Sequence, residues 1–347
     1  MLGFAIDLME RGYLPDWLIR IGIRQLLATR LRAEDVRDAS VREMALAKLE
    51  AELRASPIAL HTSAANEQHY EVPAAFFKKT LGPRLKYSSG YWPEEARDLE
   101  TAEAAMLALS CERAQLGFDQ DILELGCGWG SLTLWMAEFY PDSRIVAVSN
   151  SRSQREFIEA QCQARGFNHV QIITADMNDF ATDHHFDRVV SVEMFEHMRN
   201  YQALMSRIDG WLKPGGKLFV HIFTHCLLAY PFETEGESNW MGRYFFTGGL
   251  MPSRDLLPRF QDDLNLEAQW HFNGRHYQRT LEAWLVNQDL HRDELLALFA
   301  QTYGPEQAAR WFQRWRVFFM ACAELFGYGK GEEWGVSHYR FGRRDGA

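Results

Sequence analysis

The chain has 347 residues, with 37 Lys and Arg against 47 Asp and Glu, for a formal net charge of −10. Phosphate binding needs clustered Lys and Arg, so this balance argues against nucleic acid as the main partner and suits cationic or neutral small ligands. The length can bury a large core, in one big domain or two.

The first segment, to about Leu60, reads as helices. Ile19, Ile23, Leu26 and Leu27 recur at helical spacing, with Arg20 and Arg24 on another face. Such a basic amphipathic helix can lie on a membrane, but more often packs on its own domain. The polar stretch HTSAANEQ then reads as a linker or loop. From Asp121 short β runs alternate with helices: DILELG, SLTLWMAEFY, RIVAVSN, SQREFIEAQCQARG, VQIITAD, FDRVVSVEM and, after a Pro-Gly-Gly turn at 214–216, KLFVHIFT. Strands without clear alternation, separated by helices, predict an open, doubly wound parallel α/β sheet covered on both faces. Such sheets bind ligands at the carboxyl ends of their strands. Past Thr224 the sequence is irregular and aromatic, then helical from about 281 to 325, and WGVSHYRF is the last strand candidate. The stretch between reads as a cap inserted into the sheet topology. The expected units are an N-terminal helical arm and active-site cover at 1–118, a Rossmann-like core at 119–230, and a cap with the final core strands at 231–347.

The five cysteines (Cys111, Cys127, Cys162, Cys226 and Cys322) are odd in number and lack metal-ligand spacing such as C-x-x-C. They suggest a reduced, cytoplasmic protein with no metal site. No apolar run reaches transmembrane length and the N-terminus lacks signal-peptide features, so no stable membrane insertion is expected.

Two features carry chemistry. Glu124, Gly126, Gly128 and Gly130 form E-x-G-x-G-x-G between the first strand and its helix, where glycines allow a sharp turn and close approach to a ligand. The dinucleotide pattern would need glycine at 131, which is Ser131, and no phosphate loop ending in GK[ST] exists. The second feature is VSVEMFEHM, which sets Glu196 and His197 inside an oily run just beyond the fourth strand. Both are costly to bury unless paired. Their structural alternative is a helix cap and a satisfied core imidazole; their position favours a site.

The glycine loop resembles motif I of class I S-adenosylmethionine-dependent methyltransferases. The resemblance implies that the loop cradles the methionine end and ribose of the cofactor. The acid that usually ends the second strand is absent, leaving Asn150 and Gln154 for the ribose, while Asp176 and Met177 occupy the adenine position. More specifically, HYEVP, LKYSSGYW, LELGCGWGSLTL, MFEHM, RYFFTGG and ELFGY resemble the plant coclaurine N-methyltransferase group of the cyclopropane fatty acid synthase superfamily. That likeness implies S-adenosylmethionine contacts from Tyr87 and Ser88, substrate contacts from Tyr70 and Glu71, and a catalytic dyad at Glu196 and His197. In the lipid branch a bicarbonate base is held by a cysteine, a glutamate, a histidine and a tyrosine. The last three match Glu196, His221 and Tyr277, whereas Ser89 replaces the cysteine, which speaks against cyclopropanation.

An amine is mostly protonated at neutral pH and cannot attack a methyl group until a positioned base takes its proton. The expectation is therefore an N-methyltransferase of a small amine, with an aromatic, tetrahydroisoquinoline-like amine as the finer candidate. The competing expectations are a lipid-modifying methyltransferase and a non-catalytic cofactor-binding protein. His221 and Tyr277 could equally be a structural pair. Trp311, Trp315, Phe318, Phe319, Cys322 and Phe326 form a helical stripe, which reads either as core or as pocket lining, and Trp334 carries the same ambiguity. Oligomeric state is open, with a homodimer as one expectation.

Overall fold

The computed structural model describes residues 2–34, 38–60 and 72–344. Tyr70, Glu71 and the HTSAANEQ linker lie outside the described residues. The arm is helical: α1 (Leu2–Glu10), α2 (Asp16–Glu34), α3 (Ala39–Ala55), the short α4 (Ala74–Thr80) and α5 (Leu99–Ala114). The core alternates as β1 (Asp121–Leu125), α6 (Ser131–Phe139), β2 (Arg144–Ser149), α7 (Arg152–Arg165), β3 (Val170–Thr174), β4 (Phe186–Val192), α8 (Tyr201–Trp211) and β5 (Leu212–His225). There follow β6 (Tyr230–Pro231), α9 (Trp240–Tyr244), β7 (Leu250–Met251), β8 (Leu264–Asn273), α10 (Arg275–Leu290), α11 (Arg292–Tyr303), α12 (Pro305–Gly327) and β9 (Trp334–Arg343).

The main sheet runs β3-β2-β1-β4-β5-β9-β8. β3 through β5 are parallel, and β9 runs antiparallel to both β5 and β8. Ile122, Leu123 and Leu125 of β1 are all buried, as a strand covered on both faces requires. Strand order reverses between β1 and β4, so the loops after these strands diverge and open a crevice at their carboxyl ends.

β8 was not legible in the sequence. LNLEAQWHFN has no Val or Ile, and as an edge strand it is only partly buried, so neither propensity nor alternation marks it. The helical cap, α10 to α12, is inserted between the last two strands in sequence. The α12 stripe splits in two. Phe312, Trp315 and Phe319 enter a core with Phe76 and Phe77 of α4, whereas Phe318, Cys322 and Phe326 face a cavity. Trp334 is wholly buried, its indole N–H reaching the Tyr230 hydroxyl at 3.3 Å.

Arg20 and Arg24 face the protein rather than a lipid surface. Arg20 donates to Glu282 of α10 at 2.6 Å and to Glu324 of α12 at 2.9 Å, and Arg24 reaches Glu324 at 2.8 Å. These contacts clamp the arm to the cap. Arg20→Met takes the arginine from Glu282 and leaves Glu324 with Arg24 alone, and is expected to cost about 1–2 kcal/mol, between the values for exposed and buried pairs. An unchanged thermal midpoint would show that the clamp contributes nothing. No helix of the described residues is long and apolar enough to cross a membrane.

Candidate active site

The turn after β1 is tied to β2 by the N–H groups of Gly126 and Cys127, both donating to the Val148 carbonyl at 3.0 Å. Gly126 has φ +79, and a Cβ there would lie 2.8 Å from the Met194 Cβ, so only glycine fits under the β4 loop. A Cβ on Gly128 would meet nothing within 4 Å, because that backbone faces a cavity of about 650 Å³. Asn150, Gln154 and Met177 line the same cavity, together with His197. Gln154 Oε1 accepts from the Ser149 hydroxyl at 2.6 Å, while its Nε2 is buried without a hydrogen-bond partner. Gly130 caps α6 and is not among the lining residues. Asp176 is used locally: its Oδ1 accepts from the Asn178 N–H at 2.8 Å and its carbonyl from those of Asp179 and Phe180. It too lies outside the lining, its acceptors spent on a local turn.

The Tyr87–Ser88 segment is shaped by a residue the sequence did not single out. Glu103 of α5 is buried and accepts the backbone N–H groups of Gly82 at 3.1 Å, Arg84 at 2.9 Å and Lys86 at 3.4 Å. Tyr87 and Ser88 are thereby brought to a chamber shared with Gly126, Gly128, Gln154 and Glu193. The Ser88 hydroxyl also accepts from the buried Lys86 ammonium. Ser89 Oγ donates to the Gly90 carbonyl at 2.9 Å.

β4 ends at Val192, and Glu193 turns the chain with φ +48, a left-handed conformation costing a non-glycine residue about 1–2 kcal/mol. That turn aims its carboxylate inward. Oε2 accepts from the Tyr277 hydroxyl at 2.8 Å, and Oε1 lies 3.5 Å from His221 Nε2. A single 3-10 turn, Phe195–His197, carries the other two polar groups. Glu196 is 1% exposed, with Oε2 unpartnered, and His197 stacks on Phe246 with ring centroids 5.9 Å apart. Glu193, Glu196, His197 and Tyr277 all line a second cavity, of about 770 Å³. Tyr87, Phe223, Phe232, Phe246, Trp284, Phe318 and Phe326 supply its aromatic walls. His197 borders both cavities and so marks where their contents would meet.

Burial sets the charge states. Glu196 is pushed well above the usual carboxylate range, first by burial and then by the neighbouring Glu193 carboxylate. Glu193 is also raised by burial, to about 7, against the opposing pull of the Tyr277 hydrogen bond and the Lys86 charge. His221 is driven well below its ordinary value by burial and by Lys86, His338 and Arg113. These shifts favour the protonated form of Glu196 and the uncharged form of His221, and they leave Glu193 near its midpoint at neutral pH.

Glu193, in the same VSVEMFEHM run as Glu196 and His197, is a site residue that the sequence motifs do not single out. Its available signal was its place as the first residue past the end of β4, at the mouth of the crevice. His225, Cys226 and Glu333 also converge. His225 Nδ1, however, accepts the N–H groups of Leu227 and Leu228 at 2.9 and 2.8 Å. Its proton therefore sits on Nε2, where a metal would need a lone pair, so these three receive no metal assignment.

A doubly wound sheet with a glycine-rich first turn, beside an aromatic-walled cavity, defines a class: the chain is an S-adenosylmethionine-dependent methyltransferase of class I fold. Residues 60–334 match the family described as mycolic acid cyclopropane synthetase. The (S)-coclaurine N-methyltransferase of Thalictrum flavum subsp. glaucum is 37% identical over 97% of this chain and 94% of its own length. The enzyme of the same name from Papaver somniferum is 36% identical, covering 97% of each chain. A crystal structure of coclaurine N-methyltransferase bound to N-methylheliamine and SAH superimposes with a TM-score of 0.94 at 36% identity, covering 97% of this chain and 98% of that one. The chain belongs to the mycolic acid cyclopropane synthetase family and, within it, to the coclaurine N-methyltransferase group.

Proposed function

We propose that this enzyme N-methylates a small aromatic amine of the tetrahydroisoquinoline kind, with Glu193 as the group that takes the substrate's proton. The observation that carries this reading is a pair of carboxylates, Glu196 fully buried and Glu193 with its Oε1 buried, in an aromatic-walled cavity adjoining the glycine loop. Relatives named for alkaloid amines support it, as does N-methylheliamine in the related crystal structure.

The first cavity fits S-adenosylmethionine. Gly126 and Gly128 would let the methionine portion lie against the backbone, and the unpartnered Gln154 Nε2 and Asn150 suit ribose hydroxyls. Met177 would cover the adenine, and Tyr87 and Ser88 would close the chamber from the arm. When bound, this cofactor supplies an electrophilic methyl on sulfur, which a nitrogen lone pair displaces.

The chain's own residues must present that lone pair. Aromatic faces and the Glu193 carboxylate favour a cationic amine in a site with little water. Glu193 then accepts the ammonium proton, and the freed lone pair attacks in line, with orientation supplying much of the rate. Of the Glu-His dyad expected from the resemblance, Glu196 is the poorer acceptor, since burial beside Glu193 keeps it neutral. In this reading Glu196 donates a hydrogen bond from its acid form, and His197 orients the amine where the two cavities meet. Tyr277 holds Glu193 and His221 lies beside it, rather than either touching the methyl group. A cytoplasmic location accords with five free thiols.

Two measurements test this. Labelled cofactor with separate panels of cyclic amines and unsaturated phospholipids should label the amines alone; lipid labelling without amine labelling would reverse the assignment. Gly128→Asn, a residue that tolerates the φ of +53, should weaken cofactor binding while leaving the circular dichroism spectrum intact, because its side chain enters the cavity rather than the core. Unchanged affinity by calorimetry would move the cofactor elsewhere.

A further inference from the structure

His221 of β5 and His338 of β9 are register partners in the antiparallel pair, so their side chains share one face of the sheet. Both are completely buried. His338 Nε2 lies 2.8 Å from His221 Nδ1, and His338 Nδ1 lies 3.1 Å from Nη1 of Arg113 on α5. Arg113 is held in place over the rings of Trp270 and Phe272, with its guanidinium carbon 4.7 and 4.6 Å from their centroids.

Guanidinium can only donate. His338 Nδ1 must therefore be the acceptor, which leaves that ring's single proton on Nε2. This proton can point only at His221 Nδ1, which must accept in turn. The remaining His221 proton is thus on Nε2, directed at Glu193 Oε1 across 3.5 Å. Neither of these last two atoms makes a hydrogen bond, to each other or to any other group, so the contact across 3.5 Å is electrostatic. One permanent cation near the surface therefore dictates two tautomers and the polarity of a contact deep in the active site.

We infer that Arg113, His338 and His221 form a one-way relay that keeps an N–H, never a lone pair, facing the Glu193 carboxylate, and that Arg113 and His338 are positioning residues for the reaction. The inference rests on the reading of Glu193 as proton acceptor. The relay is not a proton exit, because its outer end cannot accept. It sets a neutral N–H beside one carboxylate oxygen while Tyr277 hydrogen-bonds the other. Burial and the surrounding cations keep both imidazoles uncharged, in line with this role. The groups facing the relay are Lys86 from the arm loop, and Glu112 and Tyr91 beside Arg113. Those facing Glu193 are Lys86, Tyr277, Glu196 and Cys322.

The test uses the full chain with 15N-labelled histidine. In the wild type, His221 and His338 should both appear as neutral Nε2–H tautomers from pH 5 to 8. A Nδ1–H tautomer or an imidazolium at either ring at pH 7 overturns the relay, whatever the activity. Arg113→Met frees the pair to reverse, which turns a lone pair toward Glu193 and favours its protonated form. The acid limb of kcat/KM should then move up by about half a pH unit or more, with kcat lower by about twofold or more near pH 7 and KM changed little. Arg113→Lys, which keeps a cationic donor, should restore the wild-type profile. A profile unmoved in Arg113→Met, or moved equally in Arg113→Lys, removes the positioning role. Correct tautomers combined with full amine turnover in Glu193→Gln would instead leave the relay standing and end the assignment of Glu193.

Discussion

Glu193→Gln is expected to lower turnover of an amine substrate by about a hundredfold or more at neutral pH, with cofactor affinity nearly unchanged. Glutamine keeps the shape and can still accept from Tyr277, but it cannot hold a transferred proton. The pH profile adds a signature. Burial raises Glu193 to about 7, so wild-type kcat/KM should climb as pH rises through that value and the carboxylate forms. The variant should lose this limb and retain only the titration of the amine itself. Stability gives an independent sign. A folded pKa raised above the ordinary 4.5 contributes stability that is fully present below 4.5 and lost as pH rises through about 7. Glu193→Gln should therefore be at least as stable as the wild type at pH 8, by urea denaturation, while almost inactive. Full amine turnover by this variant would end the mechanism.

Glu103→Ala should be the most damaging change outside the cavities. Three backbone N–H groups converge on this carboxylate, and each buried donor left unpaired costs about 1–3 kcal/mol. Partial relaxation makes about 3–5 kcal/mol the expected total, visible as a lower denaturation midpoint. Because the same loop brings Tyr87 and Ser88 to the cofactor side, affinity for S-adenosylmethionine should fall by about tenfold or more. Gly82→Ala should mimic the effect in part, since its Cβ would lie 2.5 Å from Glu103 Oε2. Destabilisation without any loss of affinity would confine Glu103 to a structural role.

The core strands β1 to β5 and the glycine turn were readable because their signals are short-range: apolar runs, helical spacing, and glycines where φ is positive. The direction of Arg20 and Arg24 was not, since their partners Glu282 and Glu324 lie 262 and 300 residues away. Periodicity assigned the two arginines to a face of α2 but could not say what covered that face. The α12 stripe was equally ambiguous, because one helix turned its aromatics both to the core and to the cavity.

By itself the sequence determined the order of the core elements, the sharp turn at Gly126 to Gly130, the family, and the presence of acids and a histidine just past β4. All of these depend on residues a few positions apart. Which acid can accept a proton was decided only by tertiary structure. Glu193 and Glu196 are three residues apart and of one chemical type, yet Tyr277, Lys86 and the depth of burial separate them. The His221–His338 contact spans 117 residues and exists because β5 and β9 pair in one register. Protonation depends on local field and solvation, and both are properties of what surrounds a group in space.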